Sequence, residues 1–143
     1  KPSAHRGYLF DSREPLFPFG FGLSYTTFDI SAPTLSAAQI RTDGSVTVTV
    51  NVRNTGKVAG DEVVQLYLRD VVSSVTRPQK ELRGFKRVTL APGASTPVSF
   101  TLDSSAFALW DKDMKHVVEP GEFQVMVGPS SASLKSVALN VVP

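Results

Sequence analysis

The sequence contains no cysteine, one tryptophan, two methionines and two histidines in 143 residues. The lack of cysteine excludes disulfides, zinc sites built from thiolates and cysteine nucleophiles, and it leaves the redox compartment open. No apolar run reaches the roughly 18 residues that a membrane-spanning helix needs. The net charge is only +2, from 15 basic and 13 acidic residues that are mixed along the chain. This pattern predicts no partner among nucleic acids or membranes.

The length fits one domain with a substantial core, since a domain of this size buries roughly 70% of the surface that its unfolded chain exposes. The chain begins at Lys1 without a methionine or a signal-like apolar segment, so we interpret it as a fragment or a processed product. The composition changes near Ser24, because residues 1–24 are rich in proline, glycine and aromatics and lack alternation. We therefore predict an extended segment over residues 1–24, called the strap below, and one domain over residues 25–143.

Alternation of apolar and polar residues dominates after residue 25 and is typical of strands with one buried face. The clearest run is SVTVTVNVR, and the others are DEVVQLYLRD, ELRGFKRVTL, TPVSFTL, GEFQVMVG and SVALNVV. DEVVQLYLRD has apolar residues on both sides, so we expect it to be covered on both faces. Pro97 cannot donate a ladder hydrogen bond, which places its strand at an edge or makes it begin there. About seven short strands separated by turns predict an all-β sandwich of two sheets.

Two local signals interrupt the strands. Asn54 and Gly56 favour turn conformations and are predicted to end the first long strand. The segment SSAFALWDKDMK predicts one helical turn, with Ser104 or Ser105 as its N-cap.

No convincing catalytic, cofactor or metal site emerges from the residues. The acidic residues lie in turns, at strand ends or beside basic neighbours, which indicates solvated charge rather than a catalytic pair. The segment from Asp111 to Glu122 resembles a calcium loop at three positions, but Lys115 and His116 stand where an oxygen ligand and a glycine belong. His5 and His116 lack the spacing of metal ligands. The serines lack the sequence contexts that activate a nucleophile.

The aromatic residues Phe85, Phe107 and Trp110 leave two alternatives open. They can stack on a sugar ring, whose C–H groups pack on aromatic faces, or they can belong to the core. Burial of each would contribute roughly 1.5–3 kcal/mol. The sequence favours the core.

Four segments carry a family resemblance: PLFPFGFGLSYTTF, VNVRNTGKVAGDEVVQLYL, RPQKELRGFKRVTLAPG and PGEFQVMVG. Their order and spacing resemble the C-terminal fibronectin type III-like domain of family 3 glycoside hydrolases, with its preceding linker, and most of all that of bacterial β-glucosidases. The resemblance runs from about residue 7 to residue 142. It implies a fibronectin type III or immunoglobulin-like β-sandwich that follows a (β/α)-barrel domain and an α/β sandwich domain. It also implies a periplasmic or secreted location.

The enzymes of this family release terminal β-linked glucose, or in some branches xylose, with retention of configuration. Retention requires two carboxylates about 5–5.5 Å apart. The resemblance places the nucleophile in the barrel and the acid/base residue usually in the second domain, and neither motif occurs in this chain. It therefore implies a non-catalytic module that stabilises the enzyme or its oligomer, including a homodimer, while other domains bind most of the oligosaccharide. An independent carbohydrate-binding module and a free-standing interaction sandwich remain as alternatives.

Two segments are candidate interfaces with those domains or with a neighbouring chain. In the strap, a row of large side chains from Phe17 to Tyr25 alternates with smaller residues. We predict burial against the catalytic domains or a neighbouring chain for Leu16, Phe17, Phe19, Phe21 and Leu23. In the connection over residues 71–85, we predict interface contacts from Pro78, Lys80 and Arg83. An ordinary solvated loop is an equal alternative for this second segment.

Overall fold

The computed structural model describes residues 15–143, so most of the predicted strap and His5 lie outside the described residues. The described part contains one short helix, α1 (Ser104–Phe107). Its strands are β1 (Phe28–Ile30), β2 (Thr34–Leu35), β3 (Gln39–Arg41), β4 (Val46–Asn54), β5 (Gly60–Asp70), β6 (Glu81–Leu90), β7 (Ser95–Leu102), β8 (Leu109–Trp110), β9 (His116–Val117), β10 (Gly121–Ser130) and β11 (Ser133–Val142). This helix is too short to cross a membrane.

The strands form two main sheets and a small hairpin. In the first sheet β4 pairs with β7 along one edge and with β1 and β2 along the other. The second sheet has the order β3-β11-β10-β5-β6, and only β3 and β11 run parallel. Strands β8 and β9 form the hairpin. The predicted all-β sandwich is confirmed, and its six alternating runs become β4, β5, β6, β7, β10 and β11.

The two sheets carry nine strands in the described residues rather than the predicted seven. Beyond the six strands that the alternating runs form, the sheets contain β1, β2 and β3, which are two or three residues long. Such strands are too short to show alternation in the sequence. Strand β7 pairs only with β4, so Pro97 does lie on an edge strand, as predicted.

The core lies between the two sheets and follows the alternation. Every second residue of β4 is buried, from Val46 to Val52, and these residues belong to one cluster with Leu66, Val125 and Leu139 of the second sheet. Burial of side chains of this size contributes roughly 1.5–3 kcal/mol each. The valine row of β4 therefore fixes which face of the first sheet turns inward.

Strand β5 is covered on both faces, as its apolar residues predicted. Val64, Leu66 and Leu68 belong to the core, and Gln65 and Tyr67 on the opposite face are also buried. The amide Nε2 of Gln65 donates to the carbonyl oxygens of Gly20 and Pro129, each at 2.9 Å. The Tyr67 hydroxyl donates to Gln65 Oε1 at 2.6 Å. The strap thus lies against the outer face of the second sheet and is bonded to it by its backbone.

Further contacts hold the strap in this path. The amide of Ser131 donates to the carbonyl of Phe19 at 2.9 Å, and the amide of Phe21 donates to the carbonyl of Pro18 at 3.0 Å. Gly20 has a φ of +78°, and a Cβ at this position would overlap the Gln65 side chain. Position 20 therefore requires glycine for its backbone conformation and for its distance from the sheet.

Asn54 ends β4 as predicted, but through its side chain rather than through a left-handed backbone. It is fully buried, and its Nδ2 donates to the carbonyls of Val58 at 2.8 Å and Leu90 at 3.0 Å. Its Oδ1 accepts from the Gly56 amide at 3.0 Å and the Thr26 hydroxyl at 2.9 Å. Asn54 therefore joins the start of the domain, the turn after β4 and the end of β6.

The short helix α1 has a different cap from the one predicted. Its N-cap is Asp103, whose carboxylate accepts from the Ser105 amide at 2.9 Å. The prediction of Ser104 or Ser105 was wrong because the helix begins at Ser104, so the capping position falls one residue earlier.

The Asn54 contacts lead to a stability prediction. We expect Asn54→Ala to lower the free energy of unfolding by about 1–3 kcal/mol or more, because the buried Leu90 carbonyl loses its side-chain donor. The control is Asn51→Ala, on the same strand but with an exposed side chain. Urea unfolding of both variants checks the prediction. Equal stabilities for the two variants would show that the Asn54 network contributes little.

The second prediction concerns the strap. We expect Gly20→Ala to detach it, because a left-handed backbone costs about 1–2 kcal/mol at an L-residue and the new methyl group overlaps Gln65. The control is Gly22→Ala, since a Cβ at Gly22 meets no atom within 4 Å. Hydrogen exchange at the Ser131 amide is the measurement, and it should accelerate only in Gly20→Ala. Unchanged protection of that amide would contradict the assigned strap path.

Candidate functional site

The predicted strap residues expose their side chains in this chain. Leu16, Phe17, Phe19, Phe21 and Leu23 are all exposed, and Phe19, which we select for mutation below, is 66% exposed. The rings of Phe17 and Phe21 contact each other with centroids 5.3 Å apart. The backbone of Phe19 and Gly20 is bonded to the sandwich. The strap therefore holds its apolar side chains in a defined place, and their burial against other domains stays a prediction.

The outer face of the second sheet extends this surface. Val63, Phe21 and Leu23 line one shallow depression, and Phe85 pairs with Gln65 across β5 and β6. Phe85 is 68% exposed. We call the exposed apolar side chains of residues 16–25, Val63 and Phe85 the strap surface.

The assignment of Phe85 to the core was wrong. A Cβ on its neighbour Gly84 would contact the ring of Phe100 in the core, so Phe85 points to the other face of β6. The alternation of ELRGFKRVTL contains this signal, because Phe85 stands in one row with Arg87 and Thr89.

The loop over residues 71–80 is ordered by charge. Its Arg77 guanidinium binds Asp70 at 3.4 Å and Glu81 at 3.1 Å, and Glu81 also binds Arg83 at 2.5 Å. The side chain of Asp70 is only 3% exposed, and burial raises its pKa although Arg77 acts in the opposite direction. Asp70 is therefore not the solvated charge that the sequence indicated. In the middle of the loop, the Ser74 amide donates to the Glu119 carboxylate at 3.0 Å and holds this part of the loop in place.

The three interface candidates of this segment separate into two groups. Lys80 donates to the carbonyl of Ser131, the residue whose amide binds the strap at Phe19. Pro78 is exposed and lies away from this contact, beside Arg83 in a groove that contains Trp110. Arg83 belongs to β6 and not to the loop, because β6 begins at Glu81. It occupies a β-bulge between Leu82 and Gly84, and bulges redirect side chains.

The remaining aromatic candidates divide in the same way. Phe107 is buried and its ring packs edge-on against Phe123, as the sequence favoured. Trp110 is 61% exposed, so its assignment to the core was wrong. Its neighbour Leu109 takes the buried position in the β8–β9 hairpin, which leaves Trp110 facing outward.

The calcium-like segment forms a turn, and backbone amides of this turn donate hydrogen bonds to its first carboxylate. Asp111 Oδ1 accepts from the amides of Asp113 at 2.8 Å and Lys115 at 2.9 Å. Within residues 15–143 no three side chains of histidine, cysteine, aspartate or glutamate cluster to hold a metal ion.

The chain shares its fold and much of its sequence with known proteins. Residues 62–131 match the family model described as fibronectin type III-like domain. A β-xylosidase of Formosa agariphila is 53% identical over 136 residues, which are 94% of this chain and 19% of that protein. A periplasmic β-glucosidase of Salmonella typhimurium is 48% identical over 136 residues, which are 94% of this chain and 18% of that protein.

Solved structures agree with these relatives. A β-glucosidase from Erythrobacter marinus superposes with a TM-score of 0.91 at 47% identity, covering 96% of this chain and 18% of that one. A β-glucosidase from Listeria innocua in complex with glucose gives a TM-score of 0.91 at 36% identity, covering 99% of this chain and 20% of that one. The chain spans about a fifth of the length of the curated relatives it matches. Residues 62–131 thus carry a fibronectin type III-like domain, and the sandwich that contains them is similar to a part of family 3 glycoside hydrolases.

Proposed function

We propose that this chain is the non-catalytic C-terminal module of a retaining, β-glucosidase-type family 3 glycoside hydrolase and that it stabilises the catalytic domains. The intact enzyme would hydrolyse terminal non-reducing β-D-glucosides, with β-xylosides as the alternative substrates. Relatives named as β-glucosidases and as a β-xylosidase support both substrate classes. The oligosaccharide would be bound mainly by the other domains.

The strap surface is the observation that carries this proposal. Its large side chains, among them Phe17, Phe19 and Leu23, remain exposed although the strap backbone is bonded in place. Contiguous exposed apolar side chains on a soluble protein mark interaction sites. The strap precedes the sandwich in the chain, so the barrel and α/β domains implied by the resemblance would be its adjacent partners. Burial against them would contribute roughly 1.5–3 kcal/mol for each large side chain.

The charge arrangement supports a non-catalytic role. Asp70 and Glu81 approach each other because both bind the Arg77 guanidinium. A retaining glycosidase needs the space between its two carboxylates for the scissile bond. Here Arg77 occupies that space, so this pair has a structural role.

A second copy of the enzyme is a further candidate partner. The exposed side chains of the strap surface would be covered equally well in a homodimer. Lys80 lies beside the strap through Ser131 and would then contact the same neighbour.

The third prediction tests burial of the strap in the intact enzyme. We expect Phe19→Ala to lower its melting temperature, through a loss of roughly 1.5–3 kcal/mol, because the ring is covered by the catalytic domains. In the isolated 143-residue chain the same change should stay within about 0.5 kcal/mol, since the ring is exposed there. Met114→Ala is the control, because Met114 is exposed on the hairpin and lies outside the strap. An unchanged melting temperature of the intact Phe19→Ala enzyme would refute the proposal.

The fourth prediction concerns activity. We expect the 143-residue chain to leave an aryl β-glucoside intact under conditions in which the intact enzyme releases the phenol. Absorbance of the released phenolate is the measurement. Hydrolysis by the chain alone would contradict the non-catalytic assignment.

A further inference from the structure

A groove beside the β8–β9 hairpin has features that interdomain stabilisation does not explain. It has a volume of about 400 Å³, within the range of roughly 300–1,000 Å³ that is typical of small-molecule sites. Its walls are Trp110 and His116 on the hairpin, Pro78 and Arg77 in the loop, and Glu81 and Arg83 on β6. We call it the Trp110 groove.

One wall of the groove is an exposed aromatic ring. Trp110 keeps 61% of its surface exposed, and the His116 ring packs against it at 5.1 Å between centroids with a 45° tilt. The amides of Asp113 and Lys115, bonded to Asp111, fix the turn between the two hairpin strands. The indole is therefore held on a short, closed hairpin, and its exposed surface borders the groove.

The opposite wall is polar but electrically balanced. Arg77, Glu81 and Arg83 line it, and the buried Asp70, which is not part of the wall, completes a chain of ion pairs with equal numbers of positive and negative charges. This balance favours a neutral ligand over an anion or a cation. The Nε of Arg83 is buried without a hydrogen-bond partner among the described residues, and a buried donor without an acceptor is costly. Because that atom is enclosed by protein, a ligand in the groove meets the rest of the Arg83 side chain, which is 26% exposed.

We propose that the Trp110 groove binds a neutral pyranose unit of a β-linked oligosaccharide. The apolar C–H face of the sugar packs on Trp110. Its hydroxyl groups meet the exposed part of Arg83, whose guanidinium is a donor, and His116, whose imidazole offers a donor or an acceptor. This goes beyond the proposed function, because it gives the module its own contact with carbohydrate in addition to its stabilising role.

Trp110 provides the experimental signal, because it is the one tryptophan of the chain. We expect titration of the 143-residue chain with cellobiose, laminaribiose or xylobiose to change the tryptophan emission with saturation. The dissociation constant should be on the order of 1 mM, since one ring and few hydrogen bonds carry the contact. Mannitol, an open-chain polyol without a flat ring, is the control and should produce no saturable change. Absence of saturable change with all three disaccharides would overturn the proposal.

Variants locate the site, with calorimetry as the measurement because Trp110→Ala removes the fluorophore. Trp110→Ala should weaken binding at least about tenfold, while Phe85→Ala should leave it unchanged, because Phe85 is equally exposed but lies on the outer face of β6. Arg83→Lys keeps the charge beside Glu81 and removes the planar guanidinium, so it should also weaken binding. Unaltered melting temperatures exclude unfolding as the cause. Equal losses in Phe85→Ala and Trp110→Ala would refute the Trp110 groove as the site.

The result of the sugar-binding titration does not depend on whether the proposed function is correct. The titration uses the 143-residue chain, whereas stabilisation of the catalytic domains is read from the melting temperature of the intact enzyme. Sugar binding without stabilisation would leave an independent carbohydrate-binding module, and stabilisation without sugar binding would leave a purely structural one.

Discussion

The buried Gln65 amide is the contact on which the exterior of this module depends. A polar side chain on the outer face of a sheet normally meets water, but Gln65 is only 6% exposed. Its Nε2 donates to the strap at Gly20 and to the turn at Pro129, and its Oε1 accepts from Tyr67. Burying an amide without such partners costs free energy of a few kcal/mol. The Gln65 amide of the sheet therefore needs the strap backbone as a hydrogen-bond partner, and the strap in turn is held in place by the sheet.

The orientation of the strap follows from this bond. Because the carbonyls of Phe19 and Gly20 are used by Ser131 and Gln65, the strap presents backbone rather than rings to the sandwich. Its phenylalanines then face away from the core, where they stay exposed among the described residues 15–143. An extended linker with polar side chains could make the same backbone bonds. This difference supports our proposal that the apolar side chains bury against a partner outside the chain.

The regular part of the fold could be predicted from the sequence because alternation is a local signal. Each of the six long strands contains enough residues to show which side is apolar, and the valine row of β4 is the plainest case. The short strands β1–β3 could not be found, since two or three residues carry no period. The double coverage of β5 could be predicted from its composition, but not what covers its outer face, because the bond from Gln65 to Gly20 joins residues 45 positions apart.

The candidate site was predicted only in part for the same reason. The strap residues could be selected because large apolar side chains are unusual in a solvated linker. Lys80 could be selected because it lies in the connection over residues 71–85. The positions of Phe85 and Trp110 depend on which side of a strand or hairpin turns inward, and the sequence rule that large aromatics are buried gave the wrong answer for both. The ion pair of Glu81 with Arg83 depends on the bulge at Arg83, and the pair of Asp70 with Arg77 joins the end of β5 to the loop; no local pattern reveals either.

The strap surface and the Trp110 groove use different chemistry because they are built differently. The strap carries apolar side chains on a backbone whose polar groups already have hydrogen-bond partners. It therefore binds mainly through the hydrophobic effect, which requires a large complementary protein surface. The groove combines one exposed ring with a neutralised chain of charges, which suits a small ligand that has hydroxyl groups and one apolar face. The bulge at Arg83 links the two, because it turns that side chain into the groove while the next outward residue, Phe85, remains on the strap surface. One irregularity in β6 thus allows the same edge of the sandwich to contact a protein on one side and a sugar on the other.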